Sequence, residues 1–421
     1  MHDVGREAAR MDRFNGGPLD GIRVLELGNY IAAPTAGRLL ADFGAEVIKI
    51  ERPETGDELR TWRLYSGTTS MLFRTINRNK KSVVLDLKTD RGQAAVRELV
   101  RSCDIVLENF RPGTLEKWGI GPAELSAVNP DLIIVRVSAY GQTGPRRHEP
   151  GFAAVAEAMA GLRALTGEPD RPPSRVGVSI GDSIAGLYAA FGALVALHQR
   201  RKDSAARRST RVADRTVDVA LTEAIFSVME SLVPEYDAYH VTRARCGGRM
   251  EGIAPSNAYL CRDGRWVVIA GNGDAIYQRF MRCIGRPDLA DSPRLANNAL
   301  RWHAREELDD AIGRWTARMP ADDVLAALAD AAVPAGPINI APDIAADEQF
   351  LARGMIQRMP VSTGTEILPD VAFPGVVPRI GDSPREIQSL GPDLGEHTEE
   401  VLGALAADLH SHRLDSKELT R

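Results

Sequence analysis

The ten residues GVSIGDSIAG, 177–186, hold two candidate nucleophiles, Ser179 and Asp182. Ser179 lies at the centre of G-x-S-x-G (Gly177, Ser179, Gly181), the spacing of a hydrolase elbow. An elbow needs a strand running straight into the turn and a helix directly after it. Here the preceding GEPDRPPSRV is a proline-rich loop, and the helix is expected to begin after Gly181. The next histidine in sequence, His198, falls late in an apolar run and offers no obvious base. Ser179 therefore reads as a packing residue. Asp182 stands where the loop enters the helix, so unpaired N–H groups and the helix dipole favour its ionised form. Gly181, Ser183, Ala185 and Gly186 are small enough to let a ligand approach it. Such a carboxylate can attack an activated carbonyl and form an acyl anhydride. The same local sequence also describes an aspartate that only caps a helix.

The elements that must position these residues alternate. IRVLEL (22–27), AEVIKIE (45–51), KSVVLDL (81–87), DIVLENF (104–110) and LIIVRVSAYG (132–141) read as strands, with APTAGRLLADFG (33–44) and DRGQAAVRELVRSC (90–103) as helices between them. This pattern predicts an α/β fold with a doubly wound, mainly parallel sheet, and ligands beyond the carboxyl ends of its strands. The first turn, GNYIAAPTAG, lacks G-x-G-x-x-G, so the nicotinamide-cofactor fingerprint fails, although Glu51-Arg52 leaves a phosphorylated nucleotide open. SIAGLYAAFGALVALHQR (183–200) is apolar nearly all round and predicts a buried helix; 200–210 reads as a basic solvated loop, and 217–233 as helix. Beyond residue 240 a glycine-rich loop, CGGRMEGIAPSN, precedes two strands around Asp263-Gly264, a hairpin signal, and then helices to about 331. Residues 334–390 are rich in proline and read as a connector, and 395–409 as a terminal helix that Thr398 could cap.

Composition limits the function classes. With 421 residues the chain can bury two cores, and a net charge of −5 gives no general attraction to nucleic acid or an anionic membrane. Four cysteines at no metal-ligand spacing and eight scattered histidines give no metal site and suit a reducing cytoplasm. The charged N-terminal residues 1–17 read as a disordered tail without a signal core, and no run is expected to span a membrane.

Taken together, PLDGIRVLELGNYIAAP, LLADFGAEVIKIERPETGD, NRNKKSVVLDLKT, CDIVLENFRPGTLEKWGIG, SAYGQTGP, GDSIAG and LGEHTEEVL resemble the class III CoA-transferase family, from about residue 18 to 405 and in the family's order. The resemblance implies a large Rossmann-like CoA-binding domain (18–216), a linker helix (217–239), a small α+β domain (240–333), the connector 334–390, and a C-terminal segment (391–421) returning to the large domain. It also implies two open rings interlocked as a homodimer. It further implies no permanently bound cofactor, a CoA thioester as substrate, and neither nucleic acid nor membrane as a partner.

By the same resemblance Asp182 matches the catalytic aspartate, which would carry a mixed anhydride and then an aspartyl-CoA thioester. CoA contacts are implied for Ile31 and Ala32, for Arg52 at the adenine-ribose end, and for Leu85, Asp86, Leu87 and Lys88. They are implied as well for Asn109, Phe110, Arg111 and Lys117. Gly247, Gly248 and Gly252 match a mobile loop that covers the active site. Two departures stand out. Ile31 replaces a polar glutamine of formyl-CoA transferase, against formate and oxalate as substrates, and Ala153 replaces an acidic residue. The small domain is similar to relatives acting on succinate, malate or citramalate, where Arg249 and Asn257 could meet a second carboxylate. An α-methylacyl-CoA racemase is the competing enzyme, but its Gly-His-Asp motif is Gly151-Phe152-Ala153 here, and phenylalanine cannot transfer a proton. A non-catalytic CoA-binding protein is the alternative of another class.

Overall fold

The computed structural model describes residues 16–67, 69–206 and 211–404. It divides into two compact units, residues 1–160, 178–228 and 348–421 in one, and 161–177 with 229–347 in the other. Residues 1–15 of the expected N-terminal tail, and residues 405–409 of the expected terminal helix, lie outside the described residues.

In the first unit β1 (Arg23–Glu26) leads into α1 (Ala32–Asp42), and β2 (Glu46–Glu51) and β3 (Lys80–Val84) follow. Then come α2 (Asp90–Val100), β4 (Ile105–Glu108), β5 (Ile133–Ser138), α3 (Ile180–Ala205) and β6 (Thr216–Ala220). The six strands form one parallel sheet in the order β3-β2-β1-β4-β5-β6, with Val24 beside both Val47 and Ile105. The order reverses between β1 and β4, which makes their carboxyl ends the switch point of the sheet. Strand residues such as Leu25, Ile48, Val83, Val106 and Ile134 join Val96 and Leu99 of α2 in one buried core. Crossover helices cover both faces, so even the polar positions of these strands are enclosed.

Several sequence expectations are corrected in this unit. Residues 216–220 are a strand: TVDVA alternates and pairs with β5, and the following helices are two short ones, Leu221–Phe226 and Leu232–Tyr239. α3 begins at Ile180 rather than after Gly181 and runs on to Ala205, through half of the expected basic loop; residues 207–210 of that loop lie outside the described residues. α3 is also not buried all round. Leu187, Phe191, Leu194 and Val195, spaced to share one face, are exposed, Phe191 by 64%. By length and composition α3 could cross a membrane, contrary to the expectation of no such run. Its packing is that of a crossover helix instead. A Cβ on Gly186 would lie 2.7 Å from Thr35 of α1, one on Gly192 2.5 Å from Val217 of β6, and Arg200 pairs with Asp104 at 2.8 Å.

The proline-rich stretch is largely structured. Its start supplies a strand, Ala335–Pro337, to the small sheet described next, and its end forms an antiparallel hairpin, Ile356–Ser362 with Ile367–Pro374, in the first unit. The chain then returns to the sheet edge. Arg78 donates to Pro374 O and, at 3.2 Å, to Gly375 O; Arg74 binds Gly391 O and, at 2.5 Å, Asp393. Thr398 does not cap the last helix. Its hydroxyl accepts the Val84 N–H at 3.0 Å and ties that helix to β3.

The second unit is α+β. Strands β7 (Ser256–Leu260), β8 (Trp266–Ala270) and β9 (Ala335–Pro337) form an antiparallel sheet, with the β7–β8 turn at Asp263-Gly264 as the dipeptide predicts. Val267 and Ile269 point to a core closed by Tyr277, Phe280, Leu308, Ile312 and Val324 of the surrounding helices.

Candidate functional site

Asp182 is the third residue of α3, with Ser179 at the N-cap position. Ser179 spends its carbonyl on the Ser183 N–H and hydroxyl, at 3.1 and 3.0 Å, and its side chain makes no capping bond. No strand precedes it, so the elbow is absent even though a helix follows directly. Asp182 is half-buried in the first turn, where main-chain N–H groups have no helical acceptors and favour a carboxylate. Gly181 lets the helix pack closely here: a Cβ would sit 2.8 Å from the end of the Ile225 side chain and 3.3 Å from Ala153. Gly186, one turn on, lets α3 close onto the carbonyl of Ala32. The helix that carries Asp182 is thus seated against the start of α1.

The residues expected to hold CoA lie at the carboxyl ends of neighbouring strands. Asn109, after β4, bridges to the turn after β1: its Oδ1 accepts the Asn29 N–H at 2.9 Å and its Nδ2 donates to Asn29 O at 2.7 Å. Arg52, after β2, is 48% exposed and reaches Gly56 O and, at 2.8 Å, Glu58. Lys88, Arg111 and Lys117 are exposed cations after β3 and β4, and Asp86 accepts the Lys88 N–H. Ile31, Ala32, Leu85 and Leu87 turn their side chains into the core, which leaves only their main chain for a ligand. Phe110 is half-buried, edge-on to Trp118 at 5.2 Å. Beneath this rim lies a charge cluster that sequence reasoning missed. Lys49 meets Asp57 at 2.8 Å and Glu26 at 3.1 Å, and Lys80 meets Glu26 at 2.8 Å, all of them buried. Burial alone would lower the Lys49 pKa, but Asp57, Glu26 and Glu51 outweigh it and raise it above the usual lysine value. Lys80 is pushed down to about 8, burial outweighing Glu26 while Lys49 repels it.

The glycine-rich loop belongs to the second unit. Gly247 and Gly252 adopt φ of +67° and +80°. A Cβ on Gly247 would press on the Glu168 carboxylate at 2.6 Å, and one on Gly248 on Asn257 at 2.7 Å. Arg249 and Asn257 do converge on a carboxylate, but it is the protein's own: Asp309 binds Arg249 at 2.6 Å, Asn257 at 3.0 Å and the Tyr259 hydroxyl at 2.5 Å. Burial and Asp309 raise the Tyr259 pKa. Both side chains expected to meet a second carboxylate are thus held by Asp309.

Comparison with known proteins joins these features. The pattern of CoA-transferase family III matches residues 19–398. The chain belongs to that family. Among its relatives is the succinyl-CoA–D-citramalate CoA-transferase of Chloroflexus aurantiacus, 46% identical over 91% of this chain and 93% of the relative. A succinate–glutarate CoA-transferase of Agrobacterium fabrum is 34% identical over 92% and 96%. The crystal structure of a CAIB/BAIF family protein from Brucella suis superposes with a TM-score of 0.80 at 34% identity, covering 93% of this chain and all of that one. This CoA-transferase accordingly uses acyl-CoA and a carboxylate as substrates. Phe152, where the racemase motif would put its histidine, is 64% exposed and cannot carry a proton.

Proposed function

We propose that this CoA-transferase moves CoA from succinyl-CoA to a second dicarboxylic acid through intermediates on Asp182. The observation that carries the reading is the placement of Asp182 in the first turn of α3, among residues too small to screen it. The Asp182 carboxylate attacks the thioester carbonyl, forming a mixed anhydride and releasing CoA thiolate. The thiolate attacks the aspartyl carbonyl, giving aspartyl-CoA thioester and free succinate. The acceptor carboxylate then attacks that thioester, forms a second anhydride and frees the thiolate again. Attack of the thiolate on the acceptor's carbonyl yields the new acyl-CoA and restores Asp182. Each step exchanges one activated acyl bond for another, so neither ATP nor metal is called for. A serine would not serve, because an ester oxygen is a poorer leaving group than an anhydride carboxylate.

The CoA end is assigned to Arg52, Lys88, Arg111 and Lys117 as cations for its phosphates, with main-chain and polar contacts from Ile31–Ala32, Leu85–Leu87, Asn109 and Phe110. The names of the Chloroflexus and Agrobacterium relatives support succinyl-CoA as donor. The loop carrying Gly247, Gly248 and Gly252 is assigned the role of cover, glycine allowing the backbone change. The exposed face of α3 supports a homodimer, with interlocked rings as the form the family resemblance implies.

Peptide mass spectrometry after incubation with succinyl-CoA and a hydroxylamine quench tests the nucleophile. A hydroxamate on the Asp182 peptide, absent in Asp182→Ala together with at least about 10³-fold of the turnover, is the expected result. Turnover without any such adduct, or α-proton exchange in deuterated water in its place, would overturn it.

A further inference from the structure

The turn between β1 and α1, residues 28–30, has no secondary-structure partner, yet side chains from three distant segments clamp each of its residues. Gly28 O accepts from Lys49 Nζ at 2.7 Å, Asn29 is bridged by Asn109, and the Tyr30 N–H donates to Asp57 Oδ1 at 3.1 Å. Asp57 is itself held from below. Its second oxygen pairs with Lys49, and its own N–H donates to Glu51, which Arg60 grips with two bonds at 2.7 and 2.8 Å. The clamp enforces an unfavourable backbone: Tyr30 has φ of +63°, a left-handed conformation that glycine would adopt freely and tyrosine does not. The Tyr30 ring then rests on Trp62 at 5.3 Å and on Phe152 at 5.9 Å. Phe152 directly precedes Ala153, the residue against which Gly181 and the start of α3 pack.

A buried ionic cluster gains little over well-packed apolar residues, because desolvation consumes most of the attraction. Strain of this kind persists where surrounding structure overdetermines it, and it gathers at ligand sites. Both features meet here at the switch point of a parallel sheet, where ligands dock. We propose that Asp57, anchored by Lys49, is a positioning residue for CoA transfer: it holds residues 28–30 as a preformed turn with Tyr30 left-handed, and so fixes the Tyr30 ring beside the segment that seats the Asp182 helix. The proposal rests on CoA lying at these strand ends.

The test is a cycle of Asp57→Asn, Tyr30→Gly and the double variant in the full chain. Binding of CoA itself is measured by titration calorimetry, thermal unfolding alongside it, and turnover with succinyl-CoA. Asp57→Asn should weaken CoA about tenfold and lower the Tm. Tyr30→Gly, which relieves the backbone but removes the ring, should weaken CoA by a similar factor with the Tm unchanged or raised. The double variant should bind no worse than Tyr30→Gly, because Asp57 acts through Tyr30. Losses that multiply in the double variant overturn the proposal, as does a fall in Tm without a change in affinity. Unchanged affinity in Tyr30→Gly overturns it whether or not Asp57→Asn folds. A missing hydroxamate on Asp182 would sink the nucleophile assignment alone, since the affinities are read without the reaction.

Discussion

Two turns of this molecule carry candidate site residues, and they are built by opposite means. The turn after β1 places a tyrosine, not a glycine, at positive φ and clamps it with Asp57, Lys49 and Asn109, of which Asp57 and Lys49 are buried. The loop at 246–253 takes its positive φ angles at Gly247 and Gly252. It is tied by Arg249, whose partners are the part-exposed Asp309 and the largely exposed Glu306. A turn forced by buried charge can have one shape only. One that takes its positive φ angles at glycines, and is tied in part by the exposed Glu306, can change shape at less cost. The difference suits a fixed ligand rim in the first case and a cover in the second.

Removing the anchor should strike the first turn hardest. Lys49→Met strands Asp57 as a buried carboxylate and leaves Glu26 to Lys80 alone, and we expect a loss of about 3–5 kcal/mol in urea unfolding. A loss below about 1 kcal/mol would erase the contrast between the turns. Next in size is the response to acid. Burial would raise the Glu51 pKa, but Arg60, Lys49 and Ser82 outweigh it and hold it below the usual carboxylate value. Glu51 therefore adds stability above about pH 4.3, its unfolded value, and that contribution is lost as pH falls through the lower folded value. Unfolding followed from about pH 6 to about pH 3 should show a steep acid limb that Glu51→Gln flattens. Equal limbs in both proteins would show that Glu51 is not ionised in the cluster. The smallest effect belongs to the other loop: Arg249→Ala should cost about 1 kcal/mol or less, since Asn257 and Tyr259 still satisfy Asp309. A loss as large as that of Lys49→Met would mean that this loop is no less fixed than the first.

Much of the sheet was legible in the sequence because its strands are short apolar runs bounded by glycine and polar residues. β6 was not, since TVDVA runs without a break into LTEAIF and the helical pattern absorbed it. The place of Asp182 in the first turn of a helix was legible from its loop-to-helix setting, whereas the true helix start, one residue after Ser179, was misplaced by the glycine at 181. The exposed stripe on α3 escaped notice because an apolar sequence does not say which of its faces is covered. The clamp around Tyr30 was hidden for a more basic reason. Glu26, Lys49, Glu51 and Lys80 sit in strands as ordinary polar alternations would, and their partners come from segments up to 54 residues away. Periodicity reads neighbours along the chain; it cannot see a charge neutralised across three strands.

The return of residues 374–398 to the sheet edge bears on the order in which the protein can be made. Arg74, Arg78 and Val84 emerge early from the ribosome, but the carbonyls and hydroxyl that satisfy them follow 296 to 317 residues later. The unit that contains Asp182 must therefore wait, with its edge strand open, while the whole of the intervening α+β unit is translated and is free to fold first. Nascent chains released before residue 374 would expose that edge. Synthesis through residue 398 is thus the step that seals the domain.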